Sequence, residues 1–308
     1  MSKRQDPLHE ISIDIGYSST KVEYNGKLAK FPTAVSFFTD VSTAYGDNDI
    51  YDFEGKKYYV GSAAVSQEAF TTTDYKFLNK FAPLIIYHIL GKFNHLPQER
   101  PIQVNVGLAV VDWSKKDEFI ERISKFIVND QEISVDVKII PQGAGVAIDW
   151  VTNNNNNEYP EKLHILDIGY NTINSLHFIN GRPDKSKIKT YPGHGVSSII
   201  KPFTSFMENT YAISFSEQEA LGVFTKGTFK YNGEDQPAVA EKIIELKSTF
   251  VIKLFQSVLV NDKKTLAMAD KVLIAGGGAY ILQGTEFPPN VEFVSEPYEF
   301  SNVRGYSL

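Results

Sequence analysis

The chain has 308 residues, 37 acidic against 31 basic, for a net charge of -6, and it contains no cysteine. Direct binding to a nucleic-acid backbone is disfavoured, because neutralising phosphates takes a concentrated basic surface, and disulfides and thiolate metal sites are excluded. A hydrophobic content of 42% with 13% aromatic residues supports real cores, and the length fits two domains of about 150 residues each.

Met1 to Glu10 is polar and unlike a signal peptide, and no apolar run approaches the roughly 20 residues that span a bilayer. A soluble, cytoplasmic protein with no membrane partner is therefore expected. Three strands are predicted from Ile11 to Phe38, with turns at Gly16 and at Asn25-Gly26. A polar loop follows from Asp40 to Asn48, then a hairpin from Tyr51 to Val60 turning at Glu54-Gly55. Helical spacing runs from Tyr75 to Leu90, a linker holds Pro97 and Pro101, and a further helix is expected from Lys115 to Phe126. Val135 to Ile140 alternates as a strand that Pro141 ends, and the small residues after Gln142 suit a helix packed close to a neighbour. The run Val151-Thr152-Asn153-Asn154-Asn155-Asn156-Asn157-Glu158 is polar and of low complexity, which places the domain boundary there: residues 1–158, completed by 296–308, and residues 159–295. The second half repeats the strand-hairpin theme from Lys162 to Thr190, and helices fit Ser216 to Phe224 and Val239 to Val260. In the latter, Ile243, Leu246, Phe250, Leu254 and Val258 form an apolar stripe for a core.

One pattern occurs twice, about half a chain apart. Ile11-Ser12-Ile13-Asp14-Ile15-Gly16-Tyr17-Ser18-Ser19-Thr20-Lys21-Val22 and Leu163-His164-Ile165-Leu166-Asp167-Ile168-Gly169-Tyr170-Asn171-Thr172-Ile173-Asn174 both read as an apolar strand entering Asp-x-Gly and a small polar turn. Backbone N–H groups of such a turn can face an anion, so each hairpin suits phosphate. A carboxylate there repels phosphate unless a cation lies between, so Asp14 and Asp167 are expected to hold Mg²⁺ through its waters, while Lys21 adds a point charge. Phosphate contacts are expected from Gly16, Tyr17, Ser18 and Ser19 in one turn and from Gly169, Tyr170, Asn171 and Thr172 in the other. The pair Gly193 and Gly195 opens a helix and offers unsatisfied N–H donors to phosphate or ribose, or else is a plain loop. The strand Lys271 to Ala275 ends in Gly276-Gly277-Gly278 before another helix, where a flat base can lie against bare backbone.

These segments, in this order, resemble the actin, sugar-kinase and heat-shock-chaperone ATPase superfamily. The Asp14 and Asp167 turns are similar to its two phosphate loops, Pro141 to Ala147 to its first connecting helix, and Ala275 to Gly278 to its adenosine motif. The tail from Tyr298 to Tyr306 is similar to its second connecting helix, and the Asn302-x-x-Gly305 ending resembles the ParM group of plasmid-segregating actins. Val106-Gly107-Leu108-Ala109-Val110 resembles that group's Gly-Leu-Pro strand end, with alanine in place of proline. Departures are Tyr170 and Asn171, where a Gly-Thr-Thr run is usual, and Asn174, where an acid is common. The missing cysteines remove the superfamily's iron–sulfur branch.

The resemblance implies an actin-like α/β fold of two duplicated, ribonuclease H-like domains with a nucleotide cleft between them. It further implies a slow, Mg²⁺-dependent hydrolase of ATP, or of GTP, that assembles with itself into filaments and reaches DNA only through a DNA-binding adaptor protein. Gln142 is then the residue that orients the attacking water, or it merely caps its helix. Lys226 and Glu217 lie in the stretch that supplies nucleoside contacts. Two alternatives share the fold: a sugar-type kinase, which needs an Asp base absent from the expected place, and a chaperone-type ATPase, which is disfavoured because no substrate-binding domain follows Leu308.

Overall fold

The computed structural model describes residues 9–38, 50–65, 69–71, 74–96, 102–153 and 158–308. The loop expected from Asp40 to Asn48, the prolines at 97 and 101 and positions 154–157 of the asparagine run lie outside them. The chain divides into two units, Met1–Asn153 with Phe300–Leu308, and Asn154–Glu299.

In the first unit β1 (His9–Ile15), β2 (Ser19–Tyr24) and β3 (Lys27–Pro32) form an antiparallel meander. The three strands expected up to Phe38 are in fact four. Pro32 has no N–H to continue the ladder, and after Thr33 the chain leaves as β4 (Ala34–Phe37) for a separate sheet with β5 (Ile50–Phe53), β6 (Lys56–Val60) and β7 (Phe70–Thr71). The Thr33 and Thr20 hydroxyls, 2.8 Å apart, mark the point of departure. The β5–β6 turn uses left-handed Glu54 and Gly55, as a two-residue hairpin requires. Beyond α1 (Ser62–Val65), Asp74 caps α2 (Tyr75–Lys92) by accepting the Phe77 amide. Next come β8 (Ile102–Leu108) and α3 (Lys116–Ser124). The helix expected through Phe126 stops at Ser124, because the β-prone run Phe126-Ile127-Val128 forms β9 (Lys125–Val128) and folds through left-handed Asn129 and Asp130 onto β10 (Gln131–Ser134). β11 (Asp136–Pro141) and α4 (Ala144–Asn153) follow, and the main sheet has the order β11-β8-β1-β2-β3, with β8 parallel to both β1 and β11.

The second unit repeats that plan. β12 (Lys162–Ile168) and β13 (Thr172–Ile179) pair antiparallel, and β14 (Arg182–Pro183) and β15 (Lys189–Pro192) both pair with β13. Its helices are α5 (Ser197–Tyr211), α6 (Glu217–Lys226), α7 (Pro237–Leu254) and α8 (Lys263–Ala267), with the small ribbon β16 (Lys230–Tyr231) and β17 (Glu234–Asp235) before α7. β18 (Lys271–Ala275) then lies parallel to β12, and β19 (Val291–Phe293) parallel to β18. A hairpin flanked by two parallel strands thus occurs in both sheets, a duplicated α/β architecture as the repeated pattern implies. The stripe Ile243, Leu246, Phe250, Leu254 and Val258 is buried throughout. The helix expected to Val260 is regular only to Leu254, after which Phe255–Leu259 widens to a π turn. The helix expected after the three glycines is a short 3₁₀ segment, Gly277–Leu282.

The chain then returns to the first unit as α9 (Ser301–Tyr306), where Ser301, Asn302, Val303, Gly305 and Tyr306 are buried. Backbone meets backbone here: a Cβ on Gly305 would overlap the Gly145 carbonyl of α4, and one on Gly145 would overlap the Asn302 carbonyl. The buried Asp149 carboxylate of α4 accepts Arg304 Nε at 2.9 Å, Arg304 Nη2 at 2.7 Å and Ser301 Oγ at 2.7 Å. This fork satisfies a charge that would be costly if left alone. Asn105 Nδ2 of β8 donates to the Tyr306 carbonyl at 2.8 Å, tying α9 to the sheet.

A polar knot sits in the second unit. His164 is fully buried on β12, across from His177. Ser175 Oγ donates to Asp262 Oδ2 at 2.5 Å and lies 3.0 Å from His164 Nε2, so the imidazole carries its proton on Nε2. Tyr191 OH and Lys189 Nζ complete the carboxylate's partners. Burial pushes His164 down from 6.5 to about 4, against the pull of Asp262 and with help from His177, Lys189 and Lys187. A folded-state value below the unfolded one means stability that is complete above the unfolded value and is lost as pH falls toward the folded one. From these values the residue removes about 2 kcal/mol between pH 7 and pH 5. Urea unfolding of wild type and His164→Gln at both pH values checks this: the variant should lose less stability by about that amount, and parallel losses would exclude His164 as the cause.

Candidate functional site

The first Asp-x-Gly turn links β1 to β2. Asp14 stands directly across from Lys21 in the register, with Lys21 Nζ 3.8 Å from Asp14 Oδ2, and both side chains are largely buried. Gly16 is required by crowding, since a Cβ there would come within 2.9 Å of Lys21 Nζ and of the Ser19 carbonyl. Its amide donates to the Asp14 carbonyl at 3.1 Å, so an anion must be met by amides further along the turn. Tyr17, half-buried, has its hydroxyl pushed up by burial and by Asp112 and Asp74, which keeps it a proton donor. Ser18 holds the next segment by accepting the Thr33 amide at 3.1 Å.

Gln142 comes to the same place from β11. Its amide nitrogen donates to Asp14 Oδ1 at 3.0 Å, and its backbone N–H donates to the Leu108 carbonyl at 2.9 Å. Gly143, at φ 88°, turns the chain into α4 and gives its N–H to Asn302 Oδ1 of α9 at 2.8 Å. A carboxylate, a cation and a primary amide are thereby joined within one unit. The amide directs a hydrogen-bond donor at the carboxylate and keeps an acceptor oxygen for a further group.

The second turn links β12 to β13. Asp167 is buried and lies across from Asn174, the counterpart of Lys21 in the other hairpin. Asn174 Oδ1 accepts Thr190 Oγ1 at 3.0 Å, so this side supplies no charge. The amide of Gly169 donates to the Thr172 carbonyl at 2.9 Å. The loop around Gly193 and Gly195, read above as a source of unsatisfied donors, spends three of them on this turn: Gly193 N–H on Asn171 O at 2.8 Å, Val196 N–H on Gly169 O at 3.1 Å and Ser197 N–H on Tyr170 O at 2.7 Å. Gly195 packs so closely that a Cβ would sit 2.5 Å from the Tyr170 carbonyl. Ser197 Oγ donates to Asn171 Oδ1 at 3.0 Å, and Tyr170 OH donates to Glu217 Oε2 at 2.7 Å. Burial and Glu217 push the Tyr170 hydroxyl far above its ordinary value. The bulky residue at 170 therefore anchors the turn to α6.

The three glycines differ from one another. Gly276, at φ 83°, abuts Asp167, where a Cβ would be 2.5 Å from Oδ1, and Gly278 abuts the side chain of Ile168. At Gly277 a Cβ would meet only Glu299 Cβ, at 3.9 Å.

Residues 12–145 match the family described as actin like proteins N terminal domain. No curated protein matches the sequence. Among solved structures, an archaeal actin homologue in complex with ADP superposes with a TM-score of 0.77 at 16% identity, over 97% of this chain and 98% of that one. A 15-stranded ParM filament from Clostridium botulinum gives 0.77 at 19% identity over 97% of each chain, and Bacillus thuringiensis ParM with ATP gives 0.69 at 14% identity over 98% of this chain and 97% of that one. The fold is actin-like.

Within this actin-like chain, Lys226 is exposed at the C-terminal end of α6. Glu217 begins the same helix, about 13 Å away at the rise per residue of an α-helix, and it is Glu217 that reaches the second turn. Among the described residues no group of three or more His, Asp or Glu could hold a metal by protein donors alone. Asp14 and Asp167 are each a single carboxylate, the kind of donor that Mg²⁺ takes while keeping several of its waters. Asn302, which fixes Gly143, and Glu217 acquire roles that the sequence did not assign; for Asn302 the Asn-x-x-Gly pattern was the available signal.

The Tyr170 anchor is testable without any ligand. Tyr170→Phe deletes a hydrogen bond to a carboxylate, and the unfolding free energy from denaturant titration should drop by about 1.5 kcal/mol or more; a change within a few tenths would show that the contact contributes nothing to holding the turn.

Proposed function

We infer that the protein is an actin-like nucleoside triphosphatase, using Mg²⁺ and ATP or GTP, that assembles with itself into filaments. The observation that carries this reading is the joining of Asp14, Lys21 and Gln142 at one turn. Lys21 places positive charge where phosphate oxygens would lie, and amides of the Tyr17, Ser18 and Ser19 backbone are positioned along the same turn. Asp14 and Asp167 would hold Mg²⁺ through its waters, and the ion would supply charge neutralisation to the phosphates. Gln142, oriented by its bond to Asp14, presents its amide oxygen to the attacking water. An amide is a poor proton acceptor, so hydrolysis is slow and suits a timer rather than a metabolic enzyme. Residues Gly169 to Thr172 contribute the second phosphate turn, and Gly276 to Gly278 receive the base.

The filament neighbour from Clostridium botulinum supports self-assembly, and the ADP- and ATP-bound neighbours support nucleotide binding. Movement of a plasmid or other DNA cargo fits the ParM-like architecture, and with a net charge of -6 the DNA is reached through a basic adaptor protein. Among the described residues no helix is long and apolar enough to cross a membrane.

Light scattering of the purified chain with Mg²⁺ and ATP or GTP should rise above a critical protein concentration and fall as diphosphate accumulates. A flat signal across protein concentration, salt and both nucleotides, with phosphate still released, would turn the reading to a monomeric ATPase. Gln142→Ala should still bind nucleotide and assemble but release phosphate at least about tenfold more slowly, equivalent to about 1.4 kcal/mol in the barrier. Filaments of this variant should persist once free triphosphate is removed, and wild-type rates of release and disassembly would exclude Gln142 from the chemistry.

A further inference from the structure

With a net charge of -6, copies of this chain repel one another unless faces of opposite sign meet. Two such faces are present, one in each unit. In the first unit a groove of about 570 Å³ runs between the β5–β6 hairpin and the β9–β10 ribbon. Phe53 and Phe126 line it from the buried side, and Ile127, 58% exposed, lines it from the surface. Its two cations are already engaged: Arg122 Nη2 donates to Glu54 Oε1 at 2.6 Å, and Lys125 Nζ lies 3.0 Å from Glu132 Oε1. The remaining carboxylates, Asp52 and Asp130, are exposed and enter no ion pair among the described residues. Asn129 holds them in place, since its N–H donates to the Asp52 carbonyl at 2.9 Å and its Oδ1 accepts the Asp52 amide at 2.6 Å. In the second unit the sheet edge made by β14 and β15 has the opposite sign. Arg182, Lys185, Lys187 and Lys189 lie along it, and Lys189 Nζ reaches the Asn261 carbonyl at 3.2 Å, which brings Lys263 and Lys264 to the same edge. Asp184 engages Lys187 at 3.6 Å and Asp262 engages Lys189. Arg182, Lys185, Lys263 and Lys264 are exposed and enter no ion pair among the described residues. Beside them Ile179, 38% exposed, stands across from Arg182 in the register, with Pro183 exposed next to it.

We propose that the β14–β15 edge of one copy docks into the groove between β5 and β9 of the next copy, and that this contact builds the filament. This rests on the self-assembly reading above. The free cations of the edge meet the free carboxylates of the groove around an apolar centre, Ile179 and Pro183 against Ile127, as in an interface with an apolar core and a polar rim. Groove against groove, or edge against edge, would set like charges face to face, so a two-fold contact between identical faces is disfavoured. Two different faces join head to tail, and a contact of that kind repeats from copy to copy.

Pelleting of the full chain at high speed with Mg²⁺ and ATP or GTP tests the proposal. Asp52→Lys with Asp130→Lys in one chain, and Lys185→Glu with Lys263→Glu in another, should each raise the critical concentration at least about tenfold, while nucleotide binding measured by calorimetry stays at wild-type strength. Mixing the two variants should restore assembly, because a reversed groove then meets a reversed edge. The chain has no cysteine, so Ile127→Cys and Ile179→Cys can be made singly in otherwise wild-type protein. With triphosphate present a bismaleimide should join these two variants to each other and neither to its own kind, which decides the matter if a charge-reversal variant fails to fold. Wild-type critical concentrations in both reversal variants, or crosslinks of Ile127→Cys only to its own kind, would overturn the docking, leave the groove to a basic partner other than this chain and leave self-assembly standing. A wild-type chain that binds nucleotide but never pellets would overturn both.

Discussion

The contact on which the first unit depends is the meeting of two glycines, Gly145 in α4 and Gly305 in α9. Helices whose side chains are absent at the crossing approach to backbone distance, and that approach brings three polar links within reach. Asp149 closes on the Arg304 fork, Asn105 reaches the Tyr306 carbonyl, and Asn302 reaches the Gly143 amide. The last link bears on the candidate site, because Gly143 follows Gln142 directly. The geometry of the Gln142 to Asp14 bond is therefore set from two sides, by the Leu108 carbonyl in the sheet and by α9 through Asn302.

The two Asp-x-Gly hairpins began from one pattern and have been completed differently. In the first, the cross-strand partner of the aspartate is a lysine; in the second it is an asparagine already engaged by Thr190. The first turn is charged and is braced by side chains reaching in from β2 and β11. The second is neutral at the equivalent position and is braced by backbone, through the 193–197 loop, and by the bond from Tyr170 to Glu217 of α6. The tyrosine at 170 supports its turn through a side chain that spans to another helix.

Much of the fold could be read from local periodicity. Alternation identified β1 and β12, the Glu54-Gly55 pair located a hairpin whose residues are both left-handed, and the stripe from Ile243 to Val258 is the buried face of α7 and its π turn. The failures share a cause. β9 is four residues long and directly follows a helix, so its pattern merges with the helical one before the Asn129-Asp130 turn reveals it. The change of sheet after Pro32 depends on which partner β4 finds, and that information is not in β4. At the site, the residue types were legible and their partners were not. The glycines at 193 and 195 were legible as a loop before a helix, but whether the amides of that loop face a ligand or the Gly169 turn depends on a fold that brings together residues more than twenty positions apart. Glu217 and Lys226 could not be told apart by sequence, and the structure puts them at opposite ends of α6, with Glu217 bonded to Tyr170.

The order in which the chain leaves the ribosome adds a consequence to the position of α9. Asn154–Glu299 is a continuous stretch and holds its own sheet and helices, so all its material is present before Phe300 has been made. The first unit is split: β1 to α4 emerge early, and the helix that covers Gly145 and ties down Gly143 emerges only after the second unit. Domains fold as units during synthesis, N-terminal material generally first. Here the earlier half must wait with the glycine face of α4 uncovered while an entire second unit is translated. Gln142 thus gains its full support only after Asn302 docks, once the whole second unit has been translated.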